Sequence, residues 1–286
     1  MKASILGMLA ETPIHPGAGQ SLRGIDQPVA RESVTGYPVI AGSGMKGALR
    51  DWARAQVAKE IDIQATFGES DQAGSVSVTD ARLLLLPIRT LTGVYKWVTC
   101  PYILERLWRD LRLMKEESKF SIPQVGKGEF VSFTDTDGKH LFLEEHVFQH
   151  REKSSDLTIL SVIKALIRHQ EVKERLKNQL ILIHDEDFAH FAAYGLSIRA
   201  RNQLHNQTKM SENLWYEETL APDTLMYSLL IPRAGIEDGN KAHATLLKKL
   251  EQTPYVQVGG NETLGQGWFH TQVVKEVADH ANIKND

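Results

Sequence analysis

The sequence predicts an α+β fold with a ferredoxin-like core that is interrupted by insertions. The first observation is the order of segments, which runs strand, helix, strand near the start and strand, strand, helix, strand near the end. The second is the composition, because 42% hydrophobic and 24% charged residues over 286 positions are typical of a globular domain with a sizeable core. The length allows either two domains or one elaborated domain.

Charge and composition narrow the functional classes only a little. The formal net charge of −3 does not indicate a nucleic-acid-binding protein, although a local basic stripe would escape this measure. The one cysteine, Cys100, excludes a disulfide within the chain and fits a reducing compartment. No apolar run reaches the roughly 18 residues of a membrane span, and the first residues read better as a strand than as a signal peptide. We therefore expect a cytoplasmic protein without membrane partners.

The N-terminal part of the chain carries a strand and then an unusually long loop. Residues 2–10 form a predicted strand, and residues 12–43 contain many glycines and prolines, with a short strand at 37–40. Loops of this length inside a compact domain are uncommon and are usually functional.

A helix is predicted to follow at residues 45–60, with Ser43 as its N-cap. Its apolar residues share one face, and three basic residues follow another face at i, i+4 and i+8. These basic residues are Lys46, Arg50 and Arg54.

The remaining elements follow from periodicity, glycines and prolines. Their predicted bounds are one long strand or two over 76–86 ended by Pro87, helix 101–117, a mixed region 121–155 with a hairpin turn at Asp137-Gly138, helix 157–180, strand 181–183, a short helix capped by Asp185, hairpin strands 197–204 and 214–220, strand 224–231, helix 242–252, strand 255–258, a glycine-rich loop 259–267 and strand 268–274.

Four features have residue types suited to chemistry or RNA binding, and each also has an ordinary structural explanation. The glycine-rich loop 259–267 could offer backbone N–H groups to phosphate, or it could be a tight connection. The basic helix face could contact a phosphate backbone, or it could be solvated. His15 and Asp26 could act as acid and base or hold a divalent cation, or they could cap the loop.

The fourth feature is the polar hairpin 197–220, in which basic residues alternate with aromatic residues. Arg199, Arg201 and Trp215 suit single-stranded RNA, because aromatic rings stack on bases, but an edge hairpin explains them equally well. Cofactor-binding and hydrolase motifs such as a Walker A loop, HExxH or GxSxG are absent from the sequence, so we expect no organic cofactor.

Taken in order, several stretches resemble the RAMP superfamily of CRISPR proteins, and in particular the repeated backbone subunit of the type III-B (Cmr) effector complex. The stretches are His15-Pro16-Gly17-x-Gly19, Gly24-Ile25-Asp26-x-Pro28-Val29-x-Arg31-Glu32, Thr35-Gly36-Tyr37-Pro38, Gly42-Ser43-x-x-Lys46-Gly47-x-Leu49-Arg50, Leu214-Trp215-Tyr216-Glu217-Glu218 and Gly259-Gly260-x-Glu262-Thr263-Leu264-Gly265-x-Gly267.

This resemblance implies the architecture and the partners. It implies a single RAMP domain over residues 1–286, with a ferredoxin-like or RRM-like core at about 1–90 and 180–280, a mixed insertion at about 91–180 and a thumb hairpin at about 197–220. Copies of the chain would stack along a guide crRNA beside other Cmr subunits, and single-stranded target RNA would be cut at regular intervals with a divalent metal ion, Mg or Mn.

The resemblance also implies roles for individual residues. Asp26 matches the catalytic aspartate and could hold the metal, His15 matches a supporting histidine, and Glu217 or Glu218 matches a glutamate on the thumb side. The residues implied in crRNA binding are Ser43, Lys46, Arg50, Arg54, Gly260, Gly265 and Gly267, and those implied at the target or thumb are Arg199, Arg201 and Trp215. Two alternatives stay open: a scaffold of the same type that binds crRNA without cutting, and an unrelated α+β enzyme.

Overall fold

A computed structural model of the chain describes residues 2–21, 24–57, 60–69, 71–114, 120–136, 138–233 and 239–275. The strands are β1 Ser4–Ala10, β2 Val39–Ile40, β3 Val76–Val78, β4 Ala81–Arg89, β5 Tyr95–Thr99, β6 Glu129–Ser132, β7 His140–Leu143, β8 His146–Lys153, β9 Leu180–Ile183, β10 Ser197–Leu204, β11 Ser211–Thr219, β12 Leu225–Pro232, β13 Tyr255–Gln257 and β14 Trp268–Val274. The helices are α1 Gly42–Gln56, α2 Ile63–Phe67, α3 Pro101–Leu113, α4 Thr158–Ala165, α5 Gln170–Gln179, α6 Asp185–Tyr194 and α7 Gly239–Gln252.

The centre of the molecule is a ferredoxin-like sheet, as the sequence predicts. Strands β14, β1, β12 and β4 lie side by side in that order and all pair antiparallel. They are joined in the chain order β1, α1, β4, β12, α7, β14, which is the strand-helix-strand repeat of a ferredoxin-like core with an insertion between its second and third strands. Almost all residues of β1 and β12 are buried, so this sheet is the middle of the hydrophobic core.

The inserted residues extend the sheet rather than forming a separate body. β5 pairs antiparallel with β4, β9 runs parallel to β5, and β6, β8 and β7 continue outward from β9. Within the described residues the result is one twelve-stranded sheet, and β10 and β11 form a separate two-stranded hairpin.

One face of the core sheet is covered by the inserted helices. A Cβ atom on Gly7 of β1 would lie 2.1 Å from the backbone oxygen of Leu166, which follows α4, so only glycine permits this approach. Tyr227 stands opposite Gly7 on β12 and therefore on the same face, and its hydroxyl donates to Asp110 of α3 at 2.7 Å. An RRM binds RNA on its open sheet face, and here that face is occupied. The core therefore has the RRM-like architecture that the sequence predicts, but it cannot bind RNA on this sheet face as an RRM does.

Helix α1 begins three residues earlier than predicted, and Ser43 is not its N-cap. Ala41 occupies that position without a side-chain hydrogen bond, and Ser43 lies inside the first turn. Asp80, from the turn before β4, accepts the Gly42 N–H at 2.6 Å instead. The cap is supplied by a residue distant in sequence, which local pattern does not reveal. The helix ends at Gln56 rather than residue 60.

Other predicted boundaries are also corrected. Pro87 does not end its strand, because β12 pairs with β4 only as far as Leu85, so Pro87 lies where one side of β4 is unpaired and its missing N–H costs no ladder bond. Residues 157–180 form two helices and a strand residue, because residues 166–169 turn where Leu166 packs on the core sheet.

Two turn assignments change as well. His184 rather than Asp185 caps α6, because its Nδ1 accepts the Glu186 N–H, while Asp185 accepts the Tyr102 N–H and so caps α3. Asp137 of the predicted hairpin turn lies outside the described residues, and the hairpin of this region, β7–β8, turns at residues 144–145. No helix among the described residues is long and apolar enough to cross a membrane.

Candidate functional site

The long N-terminal loop is a folded ribbon rather than an open coil. Its two arms pair antiparallel at Gly17 and Val29, and further along the Ser21 N–H donates to the Asp26 carbonyl at 2.9 Å. At its base, Arg106 of α3 contacts both carboxylate oxygens of Glu32, at 2.6 and 2.8 Å. The sequence predicts a functional loop here, and the structure shows how its side chains are held in place.

This loop, residues 12–43, is called the ribbon below. It pairs with the edge of β11 at the base of the β10–β11 hairpin. The Gln27 N–H donates to the Tyr216 carbonyl, and the Glu218 N–H donates to the Gln27 carbonyl, both at 3.0 Å. Asp26 lies beside this pair, and its Oδ2 accepts the Tyr216 N–H at 2.7 Å. The hairpin therefore fixes the position of Asp26 through a backbone bond that any residue at position 216 except proline provides.

Asp26 is exposed, and it faces a cleft between the ribbon and the hairpin. The cleft has a volume of about 540 Å³. Besides Asp26, its lining is largely polar and amide-rich and includes one large aromatic ring. The lining residues are Gln20, Ser21, Gln27, Gln203, Asn213, Leu214 and Trp215.

His15 binds the same strand edge from the other end and is buried. Its Nδ1 lies 2.8 Å from the Glu218 carbonyl, which can only accept, so Nδ1 carries a proton. The points on β11 that hold His15 and Asp26 are two residues of strand apart, about 7 Å. The structure thus brings both residues to one edge but does not join them as a hydrogen-bonded pair.

Glu218 is a buried anchor of the ribbon. Its Oε1 accepts from Arg31 at 2.7 Å and its Oε2 accepts the Val29 N–H at 3.0 Å. The Arg31 guanidinium also donates to the carbonyls of Gly36 and Ala192. Both carboxylate oxygens are therefore used inside the protein, and Glu218 does not face the cleft.

Glu217 is also buried, and it binds the glycine-rich loop. Its Oε1 accepts from the Asn261 side chain at 2.7 Å, and the same amide donates to Gln266 at 3.1 Å. Asn261 has a φ of 63°, a left-handed conformation that asparagine tolerates better than most residues. The two glutamates of the thumb-side motif thus hold two different loops against β11.

The glycine-rich loop packs on the residues around His15. The N–H groups of Gly260, Gly265 and Gly267 donate to the carbonyls of His15, Glu262 and Pro13, at 2.9 to 3.0 Å. These three N–H groups are therefore committed within the chain, as in the tight connection that the sequence pattern allowed beside phosphate binding. Gly260 also leaves room for the His15 ring, because a Cβ there would lie 3.4 Å from it.

The basic residues of α1 stand apart from this cleft. Lys46 and Arg50 are half-buried and Arg54 is exposed, where it pairs with Asp51 at 3.3 Å. The Nε of Arg50 is buried without a hydrogen-bond partner among the described residues. Ser43 is exposed in the first turn, where helix N–H groups attract anions.

The hairpin has two chemically different faces. Arg199, Arg201 and Trp215 lie on one face, because Arg201 pairs with Trp215 and residues two apart point the same way. Gln203 and Asn213 of that face line the cleft, so the face that carries the arginines is the one turned toward Asp26. The Trp215 indole N–H is buried without a partner among the described residues.

The donor set around Asp26 fits a divalent ion only in part. Among the described residues, Asp26 does not belong to any group of three or more His, Cys, Asp or Glu side chains whose ligand atoms converge. One carboxylate suits Mg²⁺ when RNA phosphates and water complete the shell. Burial raises the pKa of the Cys100 thiol, which keeps the thiol protonated and weakens it as a nucleophile or metal ligand.

Two residues of the site carry no role in the sequence interpretation. Arg31 lies inside a stretch that resembles the RAMP superfamily. Its positive charge in a loop of mostly small residues was the one sequence feature that indicated a role for it. Asn261 lies inside the glycine-rich loop, and nothing in the pattern of that loop distinguishes it from the neighbouring glycines. Their roles depend on contacts with Glu218 and Glu217, about 190 and 44 residues away in sequence.

Comparison with known proteins agrees with the resemblance seen in the sequence. The RAMP superfamily profile matches residues 8–270. The chain is 36% identical to the CRISPR system Cmr endoribonuclease Cmr4 of Pyrococcus furiosus, over 98% of both proteins. A crystal structure of oligomeric Cmr4 from Pyrococcus furiosus superposes with a TM-score of 0.74 at 30% identity, covering 96% of this chain and 98% of that one. A chain of the type III-B Cmr-beta complex bound to cognate target RNA has the same fold, with a TM-score of 0.75 at 22% identity, covering 96% and 98%.

Proposed function

We infer the function from the family, because the chain belongs to the RAMP superfamily and, within it, to the Cmr4 subunits of CRISPR Cmr systems. We propose that it is a repeated backbone subunit that binds guide crRNA and cuts complementary target RNA. The Pyrococcus furiosus relative is named an endoribonuclease, and the exposed carboxylate of Asp26 in the ribbon–hairpin cleft is the observation that carries the same activity to this chain.

Asp26 is the proposed general base. An RNA strand that is bent out of A-form geometry can place its own 2′-OH in line with the leaving 5′-oxygen of the next phosphodiester. Asp26 would take the proton of that hydroxyl, the 2′-oxygen would attack phosphorus, and the strand would break with release of the 5′-oxygen. The bond from Tyr216 N–H holds one carboxylate oxygen, which orients the other toward the cleft.

His15, Glu217 and Glu218 are proposed to position this base. Each contacts β11 or one of the two loops that β11 carries, and all three are buried. Trp215 is the proposed stacking surface for a base of the target, with Arg199 and Arg201 beside it to offset phosphate charge.

A divalent ion, Mg or Mn, is proposed as the alternative way in which Asp26 acts: its free carboxylate oxygen would then hold the ion instead of taking the proton itself. Such an ion supplies charge neutralisation at the phosphate oxygens when it is bound. The lone carboxylate fits this role only with ligands from the RNA.

The guide RNA is proposed to bind along the start of α1. Ser43, Lys46, Arg50 and Arg54 lie at or after the helix N-terminus, where positive charge and N–H groups favour phosphate. The Nε of Arg50 is buried and has no hydrogen-bond partner in the described part of the chain, which supports an acceptor supplied by RNA at this surface. Gly260, Gly265 and Gly267 are proposed to shape the loop that packs on His15 rather than to offer their N–H groups to RNA.

The proposed partners are crRNA, target RNA, further copies of this chain and other Cmr subunits. We propose the cytoplasm as the location, since an effector of this class acts on transcripts. We also propose that residues 1–286 are one RAMP domain, with core residues at about 1–90 and 180–280, an insertion at about 91–180 and a thumb at about 197–220. The continuity of the sheet from the core into the insertion supports a single domain, and the separate β10–β11 hairpin supports the thumb.

The test begins with the assembled complex. The chain is co-expressed with the other subunits of its CRISPR locus and purified, and the bound RNA is sequenced. A high ratio of absorbance at 260 to 280 nm with a discrete small RNA is expected. End-labelled complementary RNA should then be cut at regular intervals, and a scrambled RNA should stay intact.

Two outcomes would contradict the proposal. A fully assembled complex that binds target RNA but leaves it intact, with Mg²⁺ or Mn²⁺ present, would support the scaffold alternative. A chain that assembles with the other subunits without any small RNA would contradict the proposed binding of guide RNA.

A further inference from the structure

Three side chains from distant parts of the sequence meet on the covered side of the core sheet, away from the cleft. Glu11 directly follows β1, and His270 lies on β14 opposite Leu9 of β1. His169 lies in the connection between α4 and α5, the segment that packs over Gly7. The cluster therefore joins the insertion to the ferredoxin-like core.

The ligand atoms of the three side chains point at one another. His169 Nε2 lies 2.7 Å from Glu11 Oε1 and 2.7 Å from His270 Nδ1. His270 Nδ1 lies 3.9 Å from the same oxygen of Glu11. Atoms bound about 2.0–2.2 Å from one ion lie about 3–4 Å apart, so small movements would admit an ion between them.

Protons alone satisfy this arrangement poorly. A ring nitrogen offers either one N–H or one lone pair. If His169 Nε2 carries a proton, that proton can point well at either the carboxylate or the His270 nitrogen, and one short contact is left weak. If Nε2 is unprotonated, it can accept from His270, but then its lone pair faces the carboxylate oxygen at 2.7 Å. A cation at the centre is attractive to all three atoms.

We propose that Glu11, His169 and His270 bind a divalent transition-metal ion, of which zinc is the best fit, and that the ion fastens the α4–α5 connection to the core sheet. Two imidazole nitrogens and one carboxylate are a common zinc donor set that leaves further positions to water. Such a site is poorly suited to Mg²⁺, because Mg²⁺ prefers oxygen ligands. The site is therefore chemically distinct from the ion proposed at Asp26.

The surroundings suit metal binding. The ring of Tyr255 stacks on His270 with centroids 4.5 Å apart and planes 6° apart, which fixes the plane of the imidazole. His270 is nearly buried, whereas Glu11 and His169 are about one-third exposed, which leaves an entry path for the ion.

The experiment is metal titration of the purified chain after treatment with a chelator. Zn²⁺ binding is followed by calorimetry, and Co²⁺ is used as a spectroscopic probe of nitrogen ligation. The test variants are His169→Ala and Glu11→Gln. The control is the double variant His146→Ala/His190→Ala, which removes the other, exposed histidine pair near Glu145.

We expect the wild-type chain to bind one Zn²⁺ ion tightly. The control variant should keep this affinity, and each test variant should lower it at least tenfold. Zn²⁺ should also raise the unfolding temperature of the wild-type chain and the control, but not that of His169→Ala. A wild-type chain without a tight site, or binding that both test variants preserve, would overturn the proposal. If His169→Ala does not fold, Glu11→Gln decides by the same criterion, because it keeps the size of the side chain. RNA cutting does not enter the readout, so the result is independent of the proposed function.

Discussion

The substitution Glu218→Gln separates positioning from chemistry at the candidate site. Glu218 uses both carboxylate oxygens, one for Arg31 at 2.7 Å and one for the Val29 N–H at 3.0 Å. Glutamine keeps the shape but has one acceptor oxygen, so one of these two donors loses its partner. A buried donor left without an acceptor costs about 1–3 kcal/mol, and the partial exposure of Arg31 favours the middle of that range, about 2 kcal/mol.

A loss of about 2 kcal/mol is measurable without unfolding the chain. Domains have a free energy of unfolding of about 5–15 kcal/mol, and in large domains each kcal/mol shifts the midpoint by about 2–4 °C. We therefore expect the unfolding midpoint of Glu218→Gln to fall by roughly 4–8 °C. The ribbon that carries Asp26 should loosen, and target cutting by the reconstituted complex should slow in parallel.

The assays are thermal unfolding of the isolated chain, followed by circular dichroism, and single-turnover cutting by the assembled complex. Glu217→Gln is the matched control, because its amide oxygen can still accept from Asn261, and we expect a smaller shift in its midpoint. If Glu218→Gln unfolds at the wild-type temperature and yet abolishes cutting, Glu218 takes part in the chemistry and its assignment as an anchor is wrong.

Three further predictions concern RNA binding and the packing of the insertion. Replacing Lys46 and Arg50 with alanine should weaken guide-RNA binding and reduce the slope of log affinity against log salt by about 1.4, since each single-strand phosphate contact contributes about 0.7; an unchanged slope would return this helix face to solvent. Trp215→Ala should weaken target binding by about 1–3 kcal/mol in a filter-binding assay if one base stacks there, and unaltered binding would argue against stacking. Gly7→Ala should lower the unfolding midpoint strongly, because its Cβ would meet backbone at 2.1 Å, whereas Gly47→Ala on α1 has open space and should be neutral or slightly stabilising; equal midpoints would contradict the covered sheet face.

Much of the fold follows from local pattern. Short, largely apolar runs bounded by glycine, proline and polar residues predict β1, β12 and β14 to within one or two residues. Interactions with distant residues decided the features that were predicted wrongly. Asp80 displaces Ser43 as the capping group of α1, and Pro87 is tolerated because a neighbouring strand ends beside it.

The candidate site was predictable as a set of residues but not as a geometry. The resemblance places His15, Asp26 and either Glu217 or Glu218 in one site, and the structure brings all four residues together at β11. Of these four residues only Asp26 is exposed, and this difference in exposure depends on how two loops pack on β11. Side-chain burial at such a junction depends on contacts between segments, which residue spacing along one segment does not encode.

The most direct test of the central claim is the single-turnover cutting rate of a complex assembled with Asp26→Asn. The amide oxygen can still accept the Tyr216 N–H, so the ribbon keeps its geometry and only the basicity is lost. We predict a fall of about 10²–10⁴-fold at every cut site, about 3–5 kcal/mol in the barrier, with guide and target binding unchanged. Asp135→Asn, at an exposed carboxylate of the insertion, should cut at the wild-type rate. If the Asp26→Asn complex assembled normally and cut every site at nearly the wild-type rate, Asp26 would not be the catalytic base.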